Sequence, residues 1–228
     1  MLPSVRGLYA IIDCDFLAKR GVAPQAQLER LLEARPAAIQ LRAKNVGARE
    51  ALALARVMAA ACAARQVPFF INDRPDLAVL AGSAGVHLGQ LDLPLREVRR
   101  FAPQLRIGIS THRLEEVDRA LTDAPDYVAF GPVYATQSKR DPEPVVGLAA
   151  LEQAAQRCRR AGVPLVAIGG IDDTRASEIA RHADAGALIS ALLPAGGLPE
   201  VSAAARRLHL ALSGGAEGGG AEEGRADA

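Results

Sequence analysis

Short apolar runs alternate along the chain with amphipathic stretches of helical spacing. Gly7–Ile12, Ala38–Leu41, Val67–Ile71, Gly85–Leu88, Arg106–Ile109, Asp126–Phe130, Val163–Ile168 and Ala185–Ile189 each have strand length and almost no internal charge. Between them, helices are predicted over Pro24–Ala34, Gly47–Arg65, Pro75–Leu80, Pro94–Phe101, Arg113–Leu121, Leu148–Ala161, Thr174–His182 and Val201–Leu212. In Pro24–Ala34 the leucines at 28, 31 and 32 fall on one side, the spacing of a helix with one buried face. Strands that alternate with helices form parallel sheets, and eight of them suit a closed (β/α)8 barrel, the TIM fold, better than an open doubly wound sheet. No GxGxxG follows the first run and no GxxxxGK[ST] occurs anywhere, so dinucleotide and P-loop folds have no support. No repeat of solenoid period is present.

The polar residues are placed unevenly. Nearly every apolar run is followed at once by groups that suit an anion, a metal or a polar ring. If the runs are parallel strands, their C-terminal ends bring these groups to one rim, where barrels of this kind carry their chemistry.

Composition adds limits. The chain has 228 residues, half of them hydrophobic, with a net charge of +1. One barrel over residues 1–212 accounts for that length, with a Gly-, Ala- and Glu-rich tail over 213–228 expected to be disordered. Bulk charge does not suggest a nucleic-acid partner. Cys14, Cys62 and Cys158 are odd in number and lack metal-ligand spacing, so reduced structural thiols and a cytoplasmic protein are expected. Met1–Ala10 has no signal-peptide core, and no apolar stretch reaches the ~18 residues that span a bilayer, so no membrane association is expected.

Four clusters could carry chemistry. Gln40, Arg42 and Lys44 are two residues apart, which points them the same way along an extended strand. Arg42 offers a planar donor fork and Lys44 a point charge, although a solvated strand end would look the same. Asn72, Asp73 and Asp92 place two carboxylates after neighbouring strands, where they could share one Mg2+ with water and phosphate oxygens. The competing reading pairs Asp73 with Arg74 and makes Asp92 the cap of the helix at Pro94. Thr136, Ser138 and Lys139 lie in the long loop Pro132–Gly147 and suit an anionic group, as a solvated surface loop also could. Gly169-Gly170 after the seventh strand, with Ser190 after the eighth, stand where barrels commonly hold phosphate. His87, inside an apolar strand, is expected to be a satisfied core histidine. Ser110 and His112 follow the fifth strand at the rim.

Seven ordered segments carry a family resemblance: QLRAK at 40–44, INDRPDLA at 71–78, GVHLGQLDLP at 85–94, IGISTH at 107–112, FGPVYATQSK at 130–139, AIGGI at 167–171 and LISA at 188–191. Together they resemble thiamine-phosphate synthase over roughly residues 6–212. The resemblance implies a (β/α)8 barrel. It also implies a transferase that joins 4-amino-5-hydroxymethyl-2-methylpyrimidine diphosphate to 4-methyl-5-(2-phosphooxyethyl)thiazole, releasing diphosphate and giving thiamine phosphate in thiamine biosynthesis. By the same resemblance Gln40, Arg42, Lys44 and Asn72 hold the pyrimidine diphosphate, with Lys139 on its diphosphate. Asp73 and Asp92 ligate Mg2+. Ser110 lies near the pyrimidine and the departing diphosphate, so Ser110, Lys139 and Arg42 are the implied catalytic groups. Thr136, Ser138, Gly170, Ile189 and Ser190 hold the thiazole phosphate. The partners so implied are small molecules, and a homo-oligomer is left open.

The chain departs from the family pattern at a few positions. Ala43 replaces a common acidic residue, Ala135 and Ser138 replace proline and threonine in the loop, and His182 and Ala185 replace two glycines before the eighth strand. A related branch, the thiazole tautomerases, shares the barrel, often has Ser-Lys in this loop, and can use a histidine comparable to His112 for proton transfer. It tends to lose the metal carboxylates, so Asn72-Asp73 together with Asp92 favours the synthase. A non-catalytic barrel that binds thiamine precursors is the third reading, and fold alone does not exclude it.

Overall fold

The computed structural model describes residues 5–136 and 143–214. Its strands are β1 (Gly7–Asp13), β2 (Ala38–Arg42), β3 (Phe69–Asn72), β4 (Gly85–Leu88), β5 (Arg106–Thr111), β6 (Tyr127–Phe130), β7 (Leu165–Ile168) and β8 (Ala185–Leu188). They are hydrogen-bonded in sequence order, all parallel, and β8 closes on β1. The helices are α1 (Cys14–Ala18), α2 (Pro24–Glu33), α3 (Ala48–Ala64), α4 (Pro75–Ala81), α5 (Leu95–Phe101), α6 (Leu114–Thr122), α7 (Gly147–Ala161), α8 (Ala176–Ile179) and α9 (Leu198–Ser213). This is the (β/α)8 barrel the apolar runs predict.

Both faces of each strand are buried, which is why the strands appear in sequence as nearly continuous apolar runs. Alternate side chains divide the core in two. Leu8, Ala10, Ile12, Ile39, Leu41, Val86, Leu88, Val128 and Phe130 pack with the helices. Tyr9, Ile11, Ala38, Phe70, Tyr127, Ala129, Val166, Ala185 and Ala187 form the inner cluster. Glycine creates the room for the central rings. A Cβ at Gly108 would lie 2.0 Å from the Tyr127 ring, so the ring can lie there only because residue 108 has no side chain.

Several element limits differ from the sequence expectation for local reasons. β3 begins at Phe69, two residues after the expected Val67, because a turn with Gln66 at φ 57° and the ring of Pro68 precede it. Likewise β7 starts after Pro164. The predicted helix Thr174–His182 shrinks to the four residues Ala176–Ile179, and the Asp172 carboxylate accepts from the backbone N–H groups of Thr174 and Arg175 in the turn before it. At the other end of the chain, α9 starts at Leu198 with Pro199 in its first turn, a position that lacks an intrahelical acceptor anyway. It runs to Ser213, one residue into the expected tail, whose residues 215–228 lie outside the described residues.

The α1 helix was not expected. Its five residues are too few for a periodic signal, and the Asp13 side chain caps it by accepting from the N–H of Phe16. All three cysteines are free and buried. Burial pushes the thiol of Cys14 up to about 11 and those of Cys62 and Cys158 up to about 12, as expected of structural thiols. Among the described residues, no helix is long and apolar enough to cross a membrane.

Candidate active site

The C-terminal ends of β1 to β5 supply one half of the site. Arg42, the last residue of β2, donates from Nη1 to Oδ2 of Asp13 at 2.5 Å, and Asp13 is only 2% exposed. One carboxylate therefore caps α1 with one oxygen and holds the guanidinium with the other. Gln40 points into the barrel, where its Nε2 donates to Oδ1 of Asn72 at 2.8 Å. Lys44 lies beyond the strand and pairs with Oδ2 of Asp73 at 3.0 Å. Asp73 itself adopts φ 63° just after β3, and its N–H donates to the carbonyl of His87.

Asp92 sits in the turn after β4 and accepts from the N–H of Gly89 at 2.6 Å. Its carboxyl is pushed above the usual range, first by partial burial and then by the neighbouring Asp73 carboxylate, with Lys44 opposing the shift. The two acids are thus side by side. The alternatives raised by the sequence do not hold. Arg74 forms a two-bond pair with Asp76, at 2.8 and 2.5 Å, and not with Asp73. Helix α5 begins after Pro94 without a side-chain cap. For a hard divalent cation such as Mg2+ this donor set fits. Two adjacent carboxylates with mutual repulsion gain from a shared cation, and Mg2+ commonly takes one or two carboxylates with water and substrate phosphate oxygens completing its shell. Among the described residues no three or more His, Cys, Asp or Glu are grouped to hold a metal.

The other half is a cavity of about 660 Å3, counting the part open to solvent, at the ends of β5 to β8. Ser110, His112, Thr136, Gly170, Ile189 and Ser190 line it. Gly170, at φ 63°, could not carry a side chain, since a Cβ would meet the Ala135 carbonyl at 2.5 Å. The turn is anchored: Nη1 of Arg175 donates to the Gly170 carbonyl at 2.6 Å, and the same guanidinium lies 4.5 Å over the Tyr134 ring. The Tyr134 hydroxyl in turn donates to Glu178. His112 donates from Nδ1 to the carbonyl of Gly131 at 2.6 Å, and its own N–H is held by Glu116. Ser138 and Lys139 lie outside the described residues.

Residues 8–192 match the family model described as thiamine monophosphate synthase. The chain belongs to that family. Among its relatives, the thiamine-phosphate synthase of Methanocella arvoryzae is 41% identical over 86% of this chain and 86% of its own length. That of Anaeromyxobacter dehalogenans is 40% identical over 94% and 91%. A solved thiamine phosphate pyrophosphorylase from Pyrococcus furiosus superposes with a TM-score of 0.78 at 31% identity, covering 92% of this chain and 96% of that one.

Within the thiamine monophosphate synthase family, two of this chain's departures have structural explanations. His182 and Ala185, which replace glycines, have no positive φ, so the turn before β8 does not need glycine. Ala43 packs partly buried against the outer core. Sequence reasoning missed Asp13, Tyr9, Tyr127, Gln90, Tyr134 and Arg175. Asp13 was the most accessible of these, as a carboxylate ending an apolar run. Gln90, whose Nε2 donates to the Ser110 carbonyl at 2.6 Å, gave no signal beyond its position near the rim. His87 is the buried, satisfied histidine that the sequence predicts, yet one of its partners is the rim residue Ser110.

Proposed function

We propose that this chain is a transferase that couples the aminopyrimidine diphosphate to the thiazole phosphate, giving thiamine phosphate and diphosphate. The carrying observation is the Asp73–Asp92 carboxylate pair beside Lys44, on the same rim as the cavity at β5 to β8. Family membership supports the reading, since the relatives above are named for this activity.

In this mechanism the bond between the pyrimidine methylene carbon and the diphosphate oxygen breaks, and its electron pair leaves with diphosphate. The electron-rich aminopyrimidine spreads the resulting positive charge. The thiazole nitrogen then gives its lone pair to the methylene carbon and forms the new C–N bond. No protein nucleophile is required; the protein positions the reactants and stabilises charge. Gln40 and Asn72 would orient the pyrimidine. Arg42, Lys44 and Lys139 would contact the diphosphate as charge develops on it. Asp73 and Asp92 would hold Mg2+, which when bound adds positive charge to the leaving group. Thr136, Ser138, Gly170, Ile189 and Ser190 would hold the thiazole phosphate.

His112 lines the cavity, where a tautomerase could use it, but the acidic pair has no part in that chemistry. The test is Asp73→Ala. The variant should lose coupling by at least about a hundredfold, the scale of a lost electrostatic contact to a transition state. Undiminished coupling in a folded variant would contradict the proposal.

A further inference from the structure

The cavity at the ends of β5 to β8 has a charge that the phosphate does not explain. Its β7–β8 side is made of Gly170, Ile189 and Ser190, which bring backbone and one hydroxyl but no charge. The loop after β6 brings Glu143. Among the described residues that line the cavity Glu143 is the only acid, and none is Lys or Arg. Val146 donates its N–H to the Pro132 carbonyl at 2.9 Å and so draws the returning end of that loop onto its start. Pro132 lines the cavity too, and Glu143, close before Val146 in the chain, comes to the same wall. Among the described residues no hydrogen bond or ion pair holds the Glu143 carboxylate.

An unpaired carboxylate repels a phosphate ester. A ligand with its phosphate at one end therefore lies with that end on the uncharged β7–β8 side and its ring toward Glu143. The thiazole ring is neutral before coupling. Its nitrogen has no proton to release when it gives its lone pair to the methylene carbon, so the positive charge stays on the ring as a thiazolium. A fixed negative charge beside that ring does little for the substrate and more for the transition state, which is the condition for speeding the step.

We propose that Glu143 is a catalytic residue that faces the thiazole ring and stabilises the positive charge it gains as the C–N bond forms. The inference rests on the coupling reading and deepens it, since it gives the cavity a preference for thiazolium over thiazole. Glu143 forms no bond and moves no proton in this role.

The test uses two ligands of nearly the same shape: the thiazole phosphate and its N-methylated thiazolium form, which carries the cation permanently. Calorimetric titration of the full chain at low salt should show the cation bound more tightly than the neutral ring. Glu143→Gln should cut that preference about fivefold, the upper range for an exposed ion pair. The loss should fall on the cation, with the neutral ligand bound as well as before or better. Glu143→Asp should keep part of the preference. Added salt should erase it in the wild type and change little in Glu143→Gln. In single-turnover mixing, Glu143→Gln should slow coupling about fivefold without raising KM for the thiazole phosphate. An equal preference in wild type and Glu143→Gln, or an equal weakening of both ligands, would overturn the proposal. A wild-type chain that shows the Glu143-dependent preference but forms no product would instead sink the coupling reading, and the catalytic role with it.

Discussion

Asp13 shows how one side chain can serve two levels of structure. Its carboxylate caps α1 and pairs with Arg42, and both side chains of the pair are largely withdrawn from water. Asp13→Asn keeps an oxygen for the cap and removes the charge opposite the guanidinium. A hydrogen bond to a charged group contributes about 1.5–3 kcal/mol. With Arg42 no longer held in place, kcat/KM for the pyrimidine diphosphate should fall about thirtyfold, a loss within that range. Steady-state kinetics checks this, and an unchanged or higher kcat/KM would show that Asp13 competes with the substrate for Arg42. The sequence made Arg42 visible because a cation ends an apolar run. Its partner was hidden 29 residues away, at the end of a strand judged to stop at Ile12. The hydrogen bonds that link Gln40, Tyr9, Tyr127, His87 and Ser110 inside the barrel were hidden for the same reason: these residues stand on separate strands and meet only when the barrel closes.

Strands β6 and β7 show how loops become a binding surface. The backbone N–H groups of Val133 and Tyr134 donate to the carbonyls of Ile168 and Gly169, stitching the start of the β6 loop to the β7 turn. Arg175, just before α8, fastens Gly170 and covers Tyr134 from the other side. Arg175→Ala should therefore loosen the turn without touching the carboxylate pair. KM for the thiazole phosphate should rise about five- to tenfold while KM for the pyrimidine diphosphate stays the same, a split that steady-state kinetics resolves. Equal changes in both would show that the turn serves the whole rim. Strand ends were legible in sequence because buried parallel strands leave an apolar signature. The short α1 was not, because five residues carry no period and its cap is a single carboxylate at the strand end.

The barrel as a unit rests on aromatic rings that share its interior. Tyr9, Phe70 and Tyr127 have ring centroids 5.6–5.8 Å apart. Gly108 leaves space for the last of them. Gly108→Ala overpacks this centre, at a cost of about 1–3 kcal/mol. For a domain of this size that lowers Tm by roughly 2–4 °C per kcal/mol. Calorimetry would detect the shift, and a Tm equal to wild type would mean that the ring can move aside. Closure of the same barrel brings Asp73 and Asp92 together and sets them on the same rim as the cavity lined by Ser110 and Gly170.

The decisive measurement is a coupling assay on the purified chain with the pyrimidine diphosphate, the thiazole phosphate and Mg2+, following thiamine phosphate by fluorescence after oxidation to thiochrome. Product should form, disappear with excess EDTA and return when Mg2+ is restored. A folded chain that forms no product with Mg2+ present would contradict the coupling function. Undiminished product in EDTA would contradict the role given to Asp73 and Asp92.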